Sequence, residues 1–194
     1  PVSKTGRRET ASGVRISPPP PMNILAIETS CDETAIAVLS VSDKKNPLFR
    51  LRANVVHSQI AIHAPYGGVF PALAKREHSK NLIPVLMEAL GKSNFLKSEV
   101  KKSLPAGRQE KSKAQFKIQN SNIKLLTSIL EREPELLEQF LNETPKIKKP
   151  KIDVIAVTHG PGLEPALWVG INFAKALSLV WNIPIIPVNH MEGH

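Results

Sequence analysis

Cysteine is nearly absent: Cys31 is the only one in 194 residues, so no intramolecular disulfide can form. Long apolar runs are missing too. The most apolar stretch, residues 152–157, is strand-sized and ends at Thr158 and His159, far short of a membrane span. No signal-peptide pattern opens the sequence, so no membrane is expected as a partner and the cytoplasm is the expected compartment. Acidic side chains are in deficit, 17 against 26 basic ones, for a net charge of +9. That excess invites a nucleic-acid reading, but its distribution weakens it. Residues 1–21 hold four basic side chains and one acidic, and residues 92–151 hold fourteen and seven, so the remaining 113 residues are close to neutral. Basic segments of this kind attract polyanions without choosing among them. What is present is ordinary: 41% hydrophobic and 22% charged residues, enough for one domain with a real core or for a fragment of something larger, and unlike a disordered or fibrous chain.

Residues 1–21 show no apolar period and finish in the run Pro18, Pro19, Pro20, Pro21, which reads as a disordered extension ahead of Met22. Three short apolar segments follow, at 23–28, 34–41 and 48–56, and read as antiparallel strands with a hairpin at 43–47. Residues 71–90 carry Leu73, Leu82, Val85, Leu86, Ala89 and Leu90 at helical spacing, with Gly91 a plausible stop and Pro84 expected to kink or divide the helix. From 92 to 151 the pattern is lost except at 123–141, a marginal helical pair interrupted near Pro134, and the whole stretch reads as a low-order basic insertion. A strand at 152–157, a helix at 165–180, a strand at 183–188 and a helix capped by Asn189 complete the chain. Antiparallel strands followed by alternating helix and strand predict an α/β fold, a mixed sheet with flanking helices.

The densest polar cluster, Glu28-Thr29-Ser30-Cys31-Asp32-Glu33-Thr34, lies between two strands and predicts a turn able to present oxygens and N–H groups to a phosphate or a metal-bound nucleotide, or simply a polar turn. Cys31 makes a poor nucleophile, because Asp32 and Glu33 favour its thiol over the thiolate. Gly160-Pro161-Gly162 stands between a strand and a helix, where the backbone can approach an anion or just turn tightly. His190 and His194 are four residues apart on one helical face and can share a cation, although two donors do not complete a site. Met191 occupies the place where a zinc protease carries its general base, which excludes that reading. His57, His63, His78 and His159 have no such arrangement.

The segments ILAIETSCDETAIAVL (24–39), NVVHSQIAIHAPYGGVFPALAKREHSKNLIPVL (54–86), IDVIAVTHGPGLEPALWVGINFAKAL (152–177) and IPIIPVNHMEGH (183–194) closely resemble the TsaD (Gcp/Kae) proteins, which are tRNA threonylcarbamoyltransferases. The likeness covers nearly all of the chain outside 1–21 and 92–151. It implies an actin-like ATPase fold of the ASKHA, sugar kinase and Hsp70 class, with this chain spanning the first of two halves, residues 22–194. It implies one divalent metal ion, iron or zinc, on His190 and His194, completed by an aspartate from the second half, and threonylcarbamoyl-AMP as substrate. The group would pass to the exocyclic amine of adenosine 37 in tRNAs reading ANN codons. Asp32 and Glu33 become the candidates for positioning the amine or accepting its proton, Gly160 and Gly162 for lining the substrate cleft, and the stretch Lys75-Arg76-Glu77-His78 for touching RNA phosphates. The implied partners are tRNA with TsaB-like and TsaE-like proteins in bacteria, or KEOPS-type subunits in archaea and eukaryotes. Because the chain stops at His194, a truncated and inactive fragment is expected. A non-catalytic TsaB-like scaffold and a related metal-dependent carbamoyltransferase acting on a small molecule or protein are the alternatives. Paired metal ligands argue against the scaffold.

Overall fold

The computed structural model describes residues 22–42, 46–95, 120–147 and 149–194. The expected extension at 1–21, most of the 43–47 connection and residues 96–119 of the expected insertion lie outside them.

Strands β1 (Met22–Glu28), β2 (Glu33–Val41) and β3 (Phe49–Ser58) alternate buried and accessible residues, the period that a sheet with one covered face demands. They pair antiparallel, with Ile27 opposite Ile36 and Leu25 opposite Val38. β4 (Val154–Gly160) joins the other side of β1 in parallel, and β5 (Ile185–Asn189) joins β4 in parallel, giving the order β3-β2-β1-β4-β5. The expected α/β mixed sheet with flanking helices is therefore present. A short helix, α1 (Ile60–His63), and one 3-10 turn lead into α2 (Pro71–Lys92). Helices α3 (Asn120–Ile129) and α4 (Pro134–Glu143) precede β4, α5 (Glu164–Trp181) connects β4 to β5, and α6 (His190–Gly193) follows β5.

One cluster holds the sheet and helices together. Leu25, Ile27, Ile36, Val38, Ala53, Val55, Ile155 and Val157 project from one sheet face onto Leu82, Leu86 and Leu90 of α2 and Phe173, Ala174 and Leu177 of α5. Burying each large side chain contributes about 1.5–3 kcal/mol against leaving it in water.

Two expectations change. Pro84 neither divides nor ends α2, which runs unbroken to Lys92, beyond Gly91. Pro84 is exposed, so its ring and the carbonyl it leaves unpaired sit on the solvent side while Leu82, Ile83, Val85 and Leu86 stay buried. The stretch 120–147 is not low-order: Leu126, Leu130, Leu136 and Phe140 are fully buried and belong to the core cluster. Phe140 meets Phe173 of α5 edge to face at 6.0 Å. Buried Glu133, 3.3 Å from the Lys75 ammonium and receiving the Asn172 amide, ties the start of α4 to α2 and α5. The helical spacing at 123–141 is legible in the sequence, whereas the membership of these helices in the core depends on α2 and α5, which lie outside their own segment.

Candidate functional site

Three connections converge at the carboxyl ends of β1, β4 and β5, the end of a parallel arrangement where ligands bind. The turn 29–32 leaves β1, the loop 161–163 leaves β4 and α6 leaves β5. Their packing is close. A Cβ on Gly162 would stand 2.7 Å from the Ser30 carbonyl oxygen, and one on Gly170 2.3 Å from Thr29 Oγ1, so glycine is required at both for the turn to lie against α5. The Leu163 N–H donates to the Ser30 carbonyl at 2.7 Å, and the Thr29 hydroxyl to the Ala166 carbonyl at 3.0 Å. Gly160 has φ +143° and a cis bond to Pro161. Gly162 thus supports the turn from behind, Gly160 stands beside Asn189 at the end of β4, and neither is among the residues that line the cleft beside them.

That cleft, about 450 Å³, is lined by Glu28, Ser30, Cys31, Asp32, Glu33, His190, Gly193 and His194. Asp32 and Glu33 therefore share it with the two histidines. Asn189 caps α6 by accepting the backbone N–H groups of Met191 and Glu192, and this sets the angle at which His190 and His194 leave the helix. Their Nε2 atoms lie 3.2 Å apart. Two imidazole nitrogens bound to one zinc-like cation at ordinary bond lengths stand roughly 3.3 Å apart, so the pair fits two positions of a metal site. Among the described residues no group of three or more histidine, cysteine or carboxylate side chains is arranged to hold a metal ion. The pair would need further ligands.

Glu28 is the residue that sequence reasoning left unassigned. Its two oxygens accept the Ser30 N–H and the Thr158 hydroxyl, and its Oε2 stands 3.5 Å from His190 Nδ1, which also lies 3.2 Å from the Ser30 hydroxyl. Burial alone would push the Glu28 carboxyl up, but these hydrogen bonds outweigh it and hold the carboxyl below its ordinary value. An ionised Glu28 only accepts, so it favours the His190 tautomer that keeps its proton on Nδ1 and turns the Nε2 lone pair toward His194. The signal was in the sequence only as a carboxylate ending a buried strand.

Burial and the neighbouring Asp32 push the Cys31 thiol up, which bears out the unfavourable reading of it as a nucleophile. Of Lys75, Arg76, Glu77 and His78, only Arg76 is exposed: Lys75 pairs with Glu133, Glu77 with Lys80, and His78 is fully buried. His57 and His159 are exposed. No helix of the described residues is long and apolar enough to cross a membrane.

Among solved structures the chain is similar to YeaZ from Pseudomonas aeruginosa, at 13% identity and a TM-score of 0.40, over 87% of this chain and 44% of that one. It is also similar to an uncharacterized protein with similarity to peptidase YeaZ from Pseudomonas aeruginosa, at 12% identity and a TM-score of 0.42, over 87% and 43%. The chain thus spans less than half the length of either. The sequence model of TsaD, described as tRNA N6-adenosine threonylcarbamoyltransferase, matches residues 50–102 and 129–194, more than half of the chain and inclusive of both histidines of the cleft. With that match the chain belongs to the TsaD family.

Proposed function

We propose that this chain supplies one wall of the active site of a cytoplasmic tRNA threonylcarbamoyltransferase. The observation that carries the reading is the His190–His194 pair, its Nε2 atoms 3.2 Å apart in a carboxylate-lined cleft, in a chain of the TsaD family. The reaction is attack by the exocyclic amine of adenosine 37 on the carbamoyl carbon of threonylcarbamoyl-AMP. A C–N bond forms, the bond from that carbon to the phosphate oxygen breaks, AMP leaves with the electron pair, and the amine loses a proton. The amine is a weak nucleophile because its lone pair is delocalised into the base, so orientation and charge stabilisation carry the rate.

His190 and His194 would hold a divalent ion, iron or zinc, which when bound supplies Lewis-acid neutralisation of charge on the adenylate. Glu28 holds the His190 ring by its Nδ1 proton, and Ser30 stands beside it. Asp32 or Glu33, across the same cleft, orients the amine and accepts its proton. Gly162 acts on the substrate through the turn it supports, and Gly160 through its place beside Asn189 where β4 opens to the cleft. The remaining metal ligand, the adenylate-gripping segments and the TsaB-like and TsaE-like or KEOPS-type partners would come from beyond this chain.

The test is transfer by the full-length gene product, with threonylcarbamoyl-AMP and an ANN-reading tRNA, scored as modified nucleoside. His190→Ala and His194→Ala are expected to abolish transfer, and Asp32→Asn or Glu33→Gln to reduce it. Wild-type rates in both histidine variants would overturn the assignment. A TsaB-like scaffold predicts that transfer is indifferent to these histidines, and a carbamoyltransferase for another acceptor predicts metal dependence without tRNA modification.

A further inference from the structure

Gln59, His63, His78 and Thr34 are buried polar side chains that do not line the cleft, yet they form a network with one consistent direction. The Cys31 carbonyl can only accept, so His78 Nε2, 3.1 Å away, carries a proton and donates to it. Burial keeps the His78 imidazole below its ordinary pKa and therefore neutral, which leaves Nδ1 as an acceptor. That lone pair receives the Thr34 hydroxyl at 2.7 Å and faces the Gln59 amide nitrogen at 3.3 Å. With its amide so turned, Gln59 presents Oε1 to His63 Nε2, which donates at 3.1 Å, and His63 Nδ1 accepts the backbone N–H of Phe70 at 3.3 Å. The donors thus run from the start of α2, through His63, Gln59 and His78, to the turn of the candidate site. A second arm reaches the same turn: the Gln59 backbone N–H donates to the Asp32 carbonyl at 2.8 Å. Both arms that reach the turn end on carbonyls of residues that line the cleft, Cys31 and Asp32.

We propose that His78 is a positioning residue, which through its Nε2 bond to the Cys31 carbonyl, with Gln59 on Asp32, holds the carboxylates of the turn in register with His190 and His194. The catalytic part of this inference rests on the transferase reading, whereas the control of the turn does not. A buried network that served stability alone would have no reason to favour one hydrogen bond of His78 over another. The turn, by contrast, depends on the Nε2 side.

Two amide variants separate those sides. In His78→Gln the amide nitrogen falls near the position of Nε2 and keeps a donor for Cys31, while in His78→Asn the amide oxygen falls near Nδ1 and keeps an acceptor for Thr34. Cys31 is the only cysteine and is exposed, so its rate of reaction with Ellman's reagent reports the turn without reference to activity. His78→Gln is expected to react like wild type. His78→Asn is expected to react roughly fivefold faster, because a turn released from this anchor lets the thiol move away from Asp32, which holds its thiolate fraction down. In the full-length enzyme kcat should fall in His78→Asn and be restored in His78→Gln, with zinc affinity unchanged in both. Thr34→Val, which removes only the Nδ1 side, should behave as His78→Gln, and His78→Leu, which removes both sides, provides the loosened counterpart if the asparagine variant does not fold. Equal thiol rates across the variants, or split thiol rates with equal kcat, would overturn the proposal. A split in thiol rate in a protein whose wild type shows no transfer would uphold control of the turn and remove the transferase reading instead.

Discussion

Two pairs of histidines in this molecule have opposite fates. His63 and His78 are buried, and each ring nitrogen faces a partner whose chemistry sets the tautomer. His190 is half-buried and His194 exposed, and their Nε2 atoms face each other across 3.2 Å at the mouth of the cleft. The difference teaches that an imidazole becomes structural when its two nitrogens are both committed to fixed groups. It stays available as a ligand when only one is committed, as Glu28 and Ser30 commit His190 Nδ1.

The largest expected effect breaks the second pair. Zinc titration of the protein should show His190→Ala and His194→Ala each losing more affinity than the about 10–100-fold typical of removing a supporting partner. His57→Ala and His159→Ala should change nothing, and equal losses at those exposed histidines would dissolve the distinction. Next, Glu28→Gln should lower zinc affinity by about 10–100-fold with the fold intact by circular dichroism, because a neutral amide holds the His190 tautomer less firmly. A smaller effect sharpens the comparison from behind the turn. Gly170→Ala drives a methyl group into Thr29 and should cost about 1–3 kcal/mol in urea unfolding, as overpacking of a tight contact does.

The smallest effect concerns the first pair and pH. Burial lowers the His78 pKa, the first cause, and the Cys31 carbonyl, Glu28 and Asp32 only partly offset it, with His63 acting in the same direction as burial. The unfolded chain therefore binds a proton more readily, so the contribution of neutral His78 is fully present above its ordinary value of 6.5 and is lost as pH falls below it. Urea midpoints compared at pH 7.5 and 5.5 should drop less in His78→Gln than in wild type; an equal drop would show that His78 is not the titrating group.

Much of this was legible in advance, and the exceptions share a cause. The strands around Leu25, Ile36 and Ile155 follow from short apolar runs bounded by turn residues, the Asn189 cap from local chemistry and the proximity of His190 to His194 from helical spacing. Glu28 was not recognised, because its partners Ser30, Thr158 and His190 come from three separate connections. Leu126, Leu136 and Phe140 have helical spacing inside a stretch that reads as low-order, but their place in the core is decided by what covers them, as Phe173 covers Phe140. Pro84 does not divide its helix, because the ring sits on the solvent side.

The sequence by itself determined the α/β class, the order of strands and helices, the turn chemistry and the paired histidines, since each depends on residues a few positions apart. Only the tertiary structure decided which histidine nitrogens are spoken for, that Glu28 governs His190, and that His78 reaches the turn at Cys31. Those contacts join residues up to 162 positions apart by number, as Glu28 and His190 show at 3.5 Å, and no local pattern encodes a hydrogen bond whose two ends meet only when the sheet closes.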